Sequence, residues 1–217
     1  MSLDPALRGS RMVASAAALG LLLCACDIAP ASAVDAPAEI VTLERISFPT
    51  PRPLTIRGTP ALERPVASVL NVPYPMQYGQ FVWNDAVAKQ GKVWVLVNLE
   101  AQTISVFRGQ HEIGTAVALY GVDGKPTPVG GFRVLEMRKD HQSSIYDAEM
   151  PYTLKLTNDG IAIHGSDVRA GVGTHGCIGI PLEFASKLFE AVEVGTEVYT
   201  VRSSNSGSPS VAAVATS

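Results

Sequence analysis

From Val93 onward the chain is cut into short β-prone runs by turn residues, about one every eight to twelve positions. Residues 93–97 are β-branched and aromatic, residues 103–107 alternate in polarity, and Leu99-Glu100-Ala101-Gln102 joins them as a hairpin loop. Residues 113–120 read as a third strand and 132–137 as a fourth. Between these two, Asp123-Gly124 turns the chain, Pro126 and Pro128 stiffen it, and Gly130-Gly131 releases it. Further strands are expected at 152–157, 161–165 and 197–201. The pattern predicts a mainly β fold, a sandwich or barrel, with one prominent helix. Leu182, Ala185, Leu188, Phe189 and Val192 fall at helical spacing, Pro181 suits the first helical position, and Gly195 closes the segment. With 217 residues and 47% hydrophobic content, one domain plus extensions can build a core.

The chemistry-bearing residues cluster late in the chain. Cys177 stands far from the other cysteines, Cys24 and Cys26, and His164 and His175 lie close to it in sequence. In a strand over 161–165, Ile161 and Ile163 share one face while Ala162 and His164 share the other. His175 and Cys177 are two apart, so in extended chain they lie on one side. A thiol beside an imidazole is an activated nucleophile. A single cysteine is more often a small buried hydrophobe, but Gly176, Gly179 and a neighbouring His make a poor core setting. Zinc on His164, His175 and Cys177 lacks a paired ligand spacing and a fourth ligand, so no metal is expected. The helix is read as starting just past Cys177, where its positive end would favour a thiolate.

His164-Gly165 at a strand end, a loop, and Thr174-His175-Gly176-Cys177 together resemble the signature of the YkuD-type L,D-transpeptidases. The resemblance extends over residues 92–201. It takes in the 93–108 hairpin, Lys125-Pro126-Thr127-Pro128-Val129-Gly130-Gly131-Phe132, Met150-Pro151-Tyr152 and residues 181–189. It implies a YkuD-like β-sandwich or barrel and an enzyme that needs no cofactor. Cys177 would be the nucleophile, His164 the general base, and His175 a residue that shapes the pocket. The backbone N–H groups of His175, Gly176 and Cys177 would form the oxyanion site. Tyr152, Thr174, Gly165 and Ser166 are candidates for substrate contact. The implied substrate is the peptide stem of peptidoglycan, joined 3→3 through a thioester on Cys177. A hydrolase trimming stems on the same framework and a non-catalytic wall-binding module are the alternatives. Gly179 stands where the family usually has Arg or Asn, and the loop before Thr174 is short, which implies a more open cleft. His111 and His141 read as isolated surface residues, residues 139–144 as a solvated loop, and Glu136, Glu149 and Glu183 as carboxylates without a paired partner.

Residues 1–26 read as a signal peptide. Arg8 and Arg11 precede an apolar run at 12–23 that is too short to span a bilayer comfortably. Leu23-Cys24-Ala25-Cys26 resembles a lipobox with Cys26 as the lipidated anchor; Ala31-Ser32-Ala33 offers a plain cleavage site instead. Residues 27–80 hold nine of the 15 prolines and read as a linker reaching on the order of 100 Å. The catalytic domain is expected at 81–202 and a disordered tail at 203–217. A net charge of −3 argues against a nucleic-acid partner. The expectation is an exported monomer of the periplasm or cell envelope, touching the membrane only through its lipid.

Overall fold

The structure, a computed structural model, describes residues 39, 40, 42, 44–54, 64–72, 75–122, 124–143 and 148–202. The expected leader, the anchor at Cys26 and the tail at 203–217 lie outside the described residues. The first sheet contains β1 (Arg45–Leu54), β2 (Arg64–Leu70), β3 (Phe81–Trp83), β4 (Val93–Asn98), β5 (Thr103–Arg108), β6 (His111–Val117) and β7 (Gly130–Arg133). Its last member in chain order is β12 (Glu197–Val201), and the spatial order is β1-β2-β6-β5-β4-β12-β7, with β3 added to β6. The second sheet is β11-β10-β9-β8, built from β8 (Glu136–Arg138), β9 (Thr153–Lys155), β10 (Ala162–Ser166) and β11 (Ile178–Pro181). The helix α1 (Leu182–Ala191) follows β11 directly. Among the described residues the protein is therefore mainly β, with one helix after the cysteine segment.

The β4–β5 hairpin is set by its turn. The Asn98 side-chain oxygen accepts from the N–H groups of Glu100 and Ala101 at 3.1 and 3.2 Å, and Gln102 takes a positive φ of 54°. Its two faces go to different cores. Val95, Val97, Ile104 and Val106 join Leu154, Ile163, Ile178, Phe184 and Leu188 between the two sheets and the helix. Trp94, Leu96 and Phe107 lie on the other face, where the Trp94 and Phe107 rings stack at 4.1 Å.

That second core corrects the linker reading at 45–54 and 64–70; residues 27–38 and 55–63 of the expected linker lie outside the described residues. Residues 45–54 and 64–70 are strands of the first sheet, and Val66 and Val69 pack with Trp94 and Phe107. Proline-rich sequence is tolerated here because β1 is the edge strand, with an irregular register between Ser47 and Arg52, and Pro65 lies near the start of β2. Arg45 fastens the pair to β6, donating to the Ser68 hydroxyl at 3.0 Å and to the Glu112 carbonyl at 2.5 Å.

Two further expectations shift. The fourth strand divides: β7 stays in the first sheet, and two residues later β8 enters the second. The apolar face of α1 runs through Phe184, Ala185 and Leu188, whereas Leu182 is 50% exposed. Pro181 sits at the cap, just outside the helix, and Leu182, the first helical residue, lies off the buried stripe. Phe184 meets Phe81 and Trp83 edge-on at 5.9 and 5.4 Å. The four residues of β11 also separate Cys177 from the helix. At about 3.3 Å per residue that is roughly 13 Å, so the helix end contributes little to the thiol, because dipole effects fade within one turn.

Candidate active site

The second sheet builds the site by register. In the parallel β10–β11 pair Ile163 faces Ile178 and His164 faces Gly179, so one step back Cys177 lies beside Ala162. Ala162 in turn pairs with Lys155, and Lys155 with Glu136. Ile163 points into the core, so Ala162 and His164 share the opposite face. Across that face runs the row Glu136, Lys155, Ala162, Cys177. Two residues further along each strand, on the same face, comes the row Arg138, Thr153, His164, Gly179. The first row, with Arg138 and Thr153 of the second, lines a cleft of about 320 Å³ together with Lys125, His141, Met150, Asp159 and His175.

Cys177 is half-buried in this cleft, and its Sγ donates to the Gly160 carbonyl at 3.5 Å. Burial pushes the thiol up from its ordinary value, and Asp159 adds to this; the Ala162 amide and the Lys125 charge pull the other way but do not overcome it. His164 donates from Nδ1 to the Gly165 carbonyl at 2.9 Å. A carbonyl only accepts, so Nδ1 carries the proton and Nε2 keeps its lone pair. Burial holds the imidazole below its usual range, opposed by the Gly165 bond and reinforced by His141. Strand spacing of about 4.8 Å and a rise of about 3.3 Å per residue put the two Cα atoms roughly 8 Å apart, on one face. The resting pair at neutral pH is a thiol and a neutral imidazole.

That electrostatic state has a direct readout. Alkylation of Cys177 by iodoacetamide, followed at its own peptide by mass spectrometry, is expected to be slow at pH 7 and to climb through and beyond the ordinary thiol range. The sign follows from the raised thiol: less thiolate is present at any pH below it. A rate flat from pH 5 to 8 would instead indicate a preformed thiolate–imidazolium pair.

The turn carrying Cys177 is tied to residues 120–127. Thr174 exchanges backbone bonds with Tyr120 and Val122 at 3.0 and 3.1 Å. Its hydroxyl donates to the Cys177 carbonyl at 2.5 Å. The Gly121 N–H donates to the buried Thr127 hydroxyl at 2.8 Å, which donates to the Gly176 carbonyl at 3.0 Å. Gly176 has φ +99°, a conformation costly for any other residue. With its carbonyl fixed on Thr127, the trans peptide turns the Cys177 N–H the opposite way.

The family model for the L,D-transpeptidase catalytic domain (YkuD) matches residues 92–200. The chain belongs to this family. L,D-transpeptidase 1 of Mycobacterium tuberculosis is 26% identical over 124 residues, covering 49% of each chain. The chain thus spans about half the length of the curated relatives it matches. Among solved structures, an L,D-transpeptidase (Yku) from Stackebrandtia nassauensis is 26% identical with a TM-score of 0.47, covering 52% of this chain and 56% of that one. An L,D-transpeptidase from Mycobacterium smegmatis is 20% identical with a TM-score of 0.47, covering 50% and 58%.

Within this L,D-transpeptidase domain the sequence-predicted residues divide. Cys177 and the exposed His175 line the cleft, and His164 lies on the same face of the second sheet, outside the cleft lining. Among the described residues, no three His, Cys, Asp or Glu side chains form a group able to hold a metal ion. The four residues expected to touch substrate have other work. The Thr174 hydroxyl is bound to Cys177. Gly165 is buried, and its carbonyl orients His164 while its N–H bonds the Pro151 carbonyl at 2.8 Å. The Tyr152 ring packs edge-on against Phe189 at 5.8 Å, with its backbone at φ 56°. Ser166 covers Gly179: a Cβ there would stand 3.0 Å from the Ser166 Cβ and 3.5 Å from that of Leu119. The space beside Gly179 is therefore filled, which is how this L,D-transpeptidase domain accommodates glycine where the family usually has Arg or Asn.

Other residues of the domain were misread. His141 is not isolated; it lines the cleft and acts on His164. Ser143 of the polar 139–144 segment lines it too. Glu136 is paired with the Arg138 guanidinium at 2.6 Å, not with a second carboxylate, as expected for a residue outside any acid–base carboxylate pair. Lys155 and Lys125 were missed. Lys155 was accessible to pattern reading, since a turn at Asp159-Gly160 folds it back against Ala162.

Proposed function

We propose that the chain is an exported acyltransferase that joins peptidoglycan stem peptides through Cys177. What supports this reading, beside the family, is one observation: a half-buried thiol shares a sheet face with a neutral imidazole whose Nδ1 proton is committed to the Gly165 carbonyl. The Cys177 thiol gives its proton to His164 Nε2 as sulfur attacks the carbonyl carbon of the third stem residue. The oxyanion is held by backbone N–H groups of His175, Gly176 and Cys177. The C–N bond then breaks, the terminal D-alanine takes the proton from His164 as it leaves, and a thioester remains. The side-chain amine of a second stem attacks that thioester and loses a proton to His164. The S–C bond breaks, the thiolate is reprotonated, and a 3→3 cross-link is formed. His175 shapes the mouth of the cleft. The enzyme works in the cell envelope as a monomer, tethered at Cys26, with no cofactor and no nucleic-acid partner.

The deciding experiment is mass spectrometry of the products from the purified chain and tetrapeptide-stem muropeptides. Dimers joined 3→3 with release of D-alanine are expected. Shortened stems without dimers would assign the thioester to water and make the protein a hydrolase. Neither product, together with no carbapenem adduct on Cys177, would leave only a wall-binding role.

A further inference from the structure

Cys177 stands between two lysines that the mechanism above does not use. On one side, the Lys125 stem lies over Gly176: its Cγ is 3.3 Å, and its carbonyl oxygen 3.5 Å, from where a Gly176 Cβ would sit. Pro126 restricts the Lys125 backbone to extended conformations, and Thr127, two residues on, is hydrogen-bonded to Gly121 and Gly176. Lys125 is thus held against the residue adjacent to the nucleophile. On the other side, Lys155 is the neighbour of Ala162 in the row that ends at Cys177. Two strand spacings, roughly 10 Å, separate its Cα from that of Cys177, with only the Ala162 methyl group between. Both lysines are half-buried and line the same cleft.

The charges around them leave a positive surplus. The cleft holds Lys125, Arg138 and Lys155 against Glu136 and Asp159. Arg138 is taken by Glu136 at 2.6 Å. Among the described residues neither lysine is in an ion pair. Their opposite charges, Asp159 for Lys125 and Glu136 for Lys155, act at longer range and stand on exposed or already paired groups. The whole chain carries −3, so cations beside the nucleophile are not a by-product of a basic protein. A cleft that is more positive than its protein favours an anionic ligand.

We propose that Lys125 and Lys155 form a subsite for a carboxylate of the acyl donor, Lys125 at the position nearest the attacked carbonyl. This rests on the stem-peptide reading above and adds which chemical feature of the stem is recognised. A tetrapeptide stem offers two carboxylates near the reacting bond: the C-terminal one on the leaving residue, and the one on the side chain of a diamino acid such as diaminopimelate.

The test measures binding, so that it does not depend on turnover. Cys177→Ala chain is titrated by calorimetry with three synthetic donor peptides: both carboxylates free, C-terminal carboxamide, and side-chain carboxamide. The titrations are repeated with Lys125→Met or Lys155→Met added. The free donor is expected to bind about tenfold more weakly once the matching lysine is removed, as for the loss of one charge-assisted hydrogen bond. The carboxamide that removes the same contact should bind equally to parent and lysine variant, which names the carboxylate each lysine reads. Lys125→Arg should restore most of the affinity, and unchanged melting temperatures would show that the variants are folded. Equal losses on free and both amidated donors, or no loss on any, would overturn the subsite. The outcomes separate the two proposals: carboxylate-dependent binding without turnover by the intact enzyme would leave this one standing and remove the transferase.

Discussion

On the proposed mechanism, replacing Cys177 with alanine is expected to abolish acylation by a carbapenem, and replacing His164 with glutamine to slow it by roughly 10²–10⁴-fold. The first follows because Cys177 is the free thiol of the described residues and lines the cleft. The second is the more informative. Burial holds the thiol up and the imidazole down, so the resting pair is neutral and the proton must move during attack. On the proposed mechanism His164 therefore serves as a base in the transition state, not as the counter-ion of a standing thiolate. In His164→Gln the sulfur must ionise unaided, so acylation should rise with pH towards the raised thiol value, and the gap to wild type should narrow as it does. Wild type is expected to keep its rate to far lower pH. Its rate is lost only when His164 is protonated, and with the imidazole held low that loss should come at lower pH than for an ordinary histidine. Stopped-flow acylation from pH 5 to 10 on both proteins, with His175→Gln beside them, checks this. If His164→Gln matches wild type and His175→Gln carries the defect, the base has been assigned to the wrong imidazole.

The parity of β10 is why this pair was legible in the sequence. Ile161 and Ile163 mark the core face by their type, so Ala162 and His164 had to share the other, and a cysteine one strand away on that face needed only the right register. Period-2 reasoning did not extend to what closes the site. Thr174, Gly165 and Ser166 lie within the signature, yet their hydroxyls and backbone groups are consumed by Cys177, His164 and the space beside Gly179. Nothing in the order of residues says whether a hydroxyl faces a substrate or a neighbouring carbonyl. The proline-rich segment failed for a different reason. Proline signals the loss of a ladder hydrogen bond, but an edge strand has one side with no partner to lose. What makes residues 45–54 and 64–70 strands is the apolar face of Trp94, Leu96 and Phe107, which lies further along the chain, beyond both strands, and needed covering. In α1 the error was one of phase: the buried stripe is centred on Phe184, Ala185 and Leu188, which leaves Leu182 outside it.

The relay through Thr127 joins fold to chemistry, and removing it should damage both. Thr127→Val keeps the shape and deletes one oxygen. The Gly121 N–H then loses its acceptor and the Gly176 carbonyl its donor, in a place where Thr127 is 3% exposed. Each unsatisfied buried group costs about 1–3 kcal/mol, so a loss of about 2–5 kcal/mol in denaturant unfolding is expected. Thr127→Ser should recover most of it. The kinetic consequence comes from the peptide plane: the Gly176 carbonyl and the Cys177 N–H are opposite ends of one rigid unit. When Thr127 no longer holds the first, the second loses its fixed direction. If that N–H is an oxyanion donor, acylation by the fraction still folded should fall by roughly 10²–10³, with little change in the pH dependence set by His164. Loss of stability with undiminished acylation would show that Thr127 secures the loop alone, and that the oxyanion is stabilised from elsewhere in the cleft.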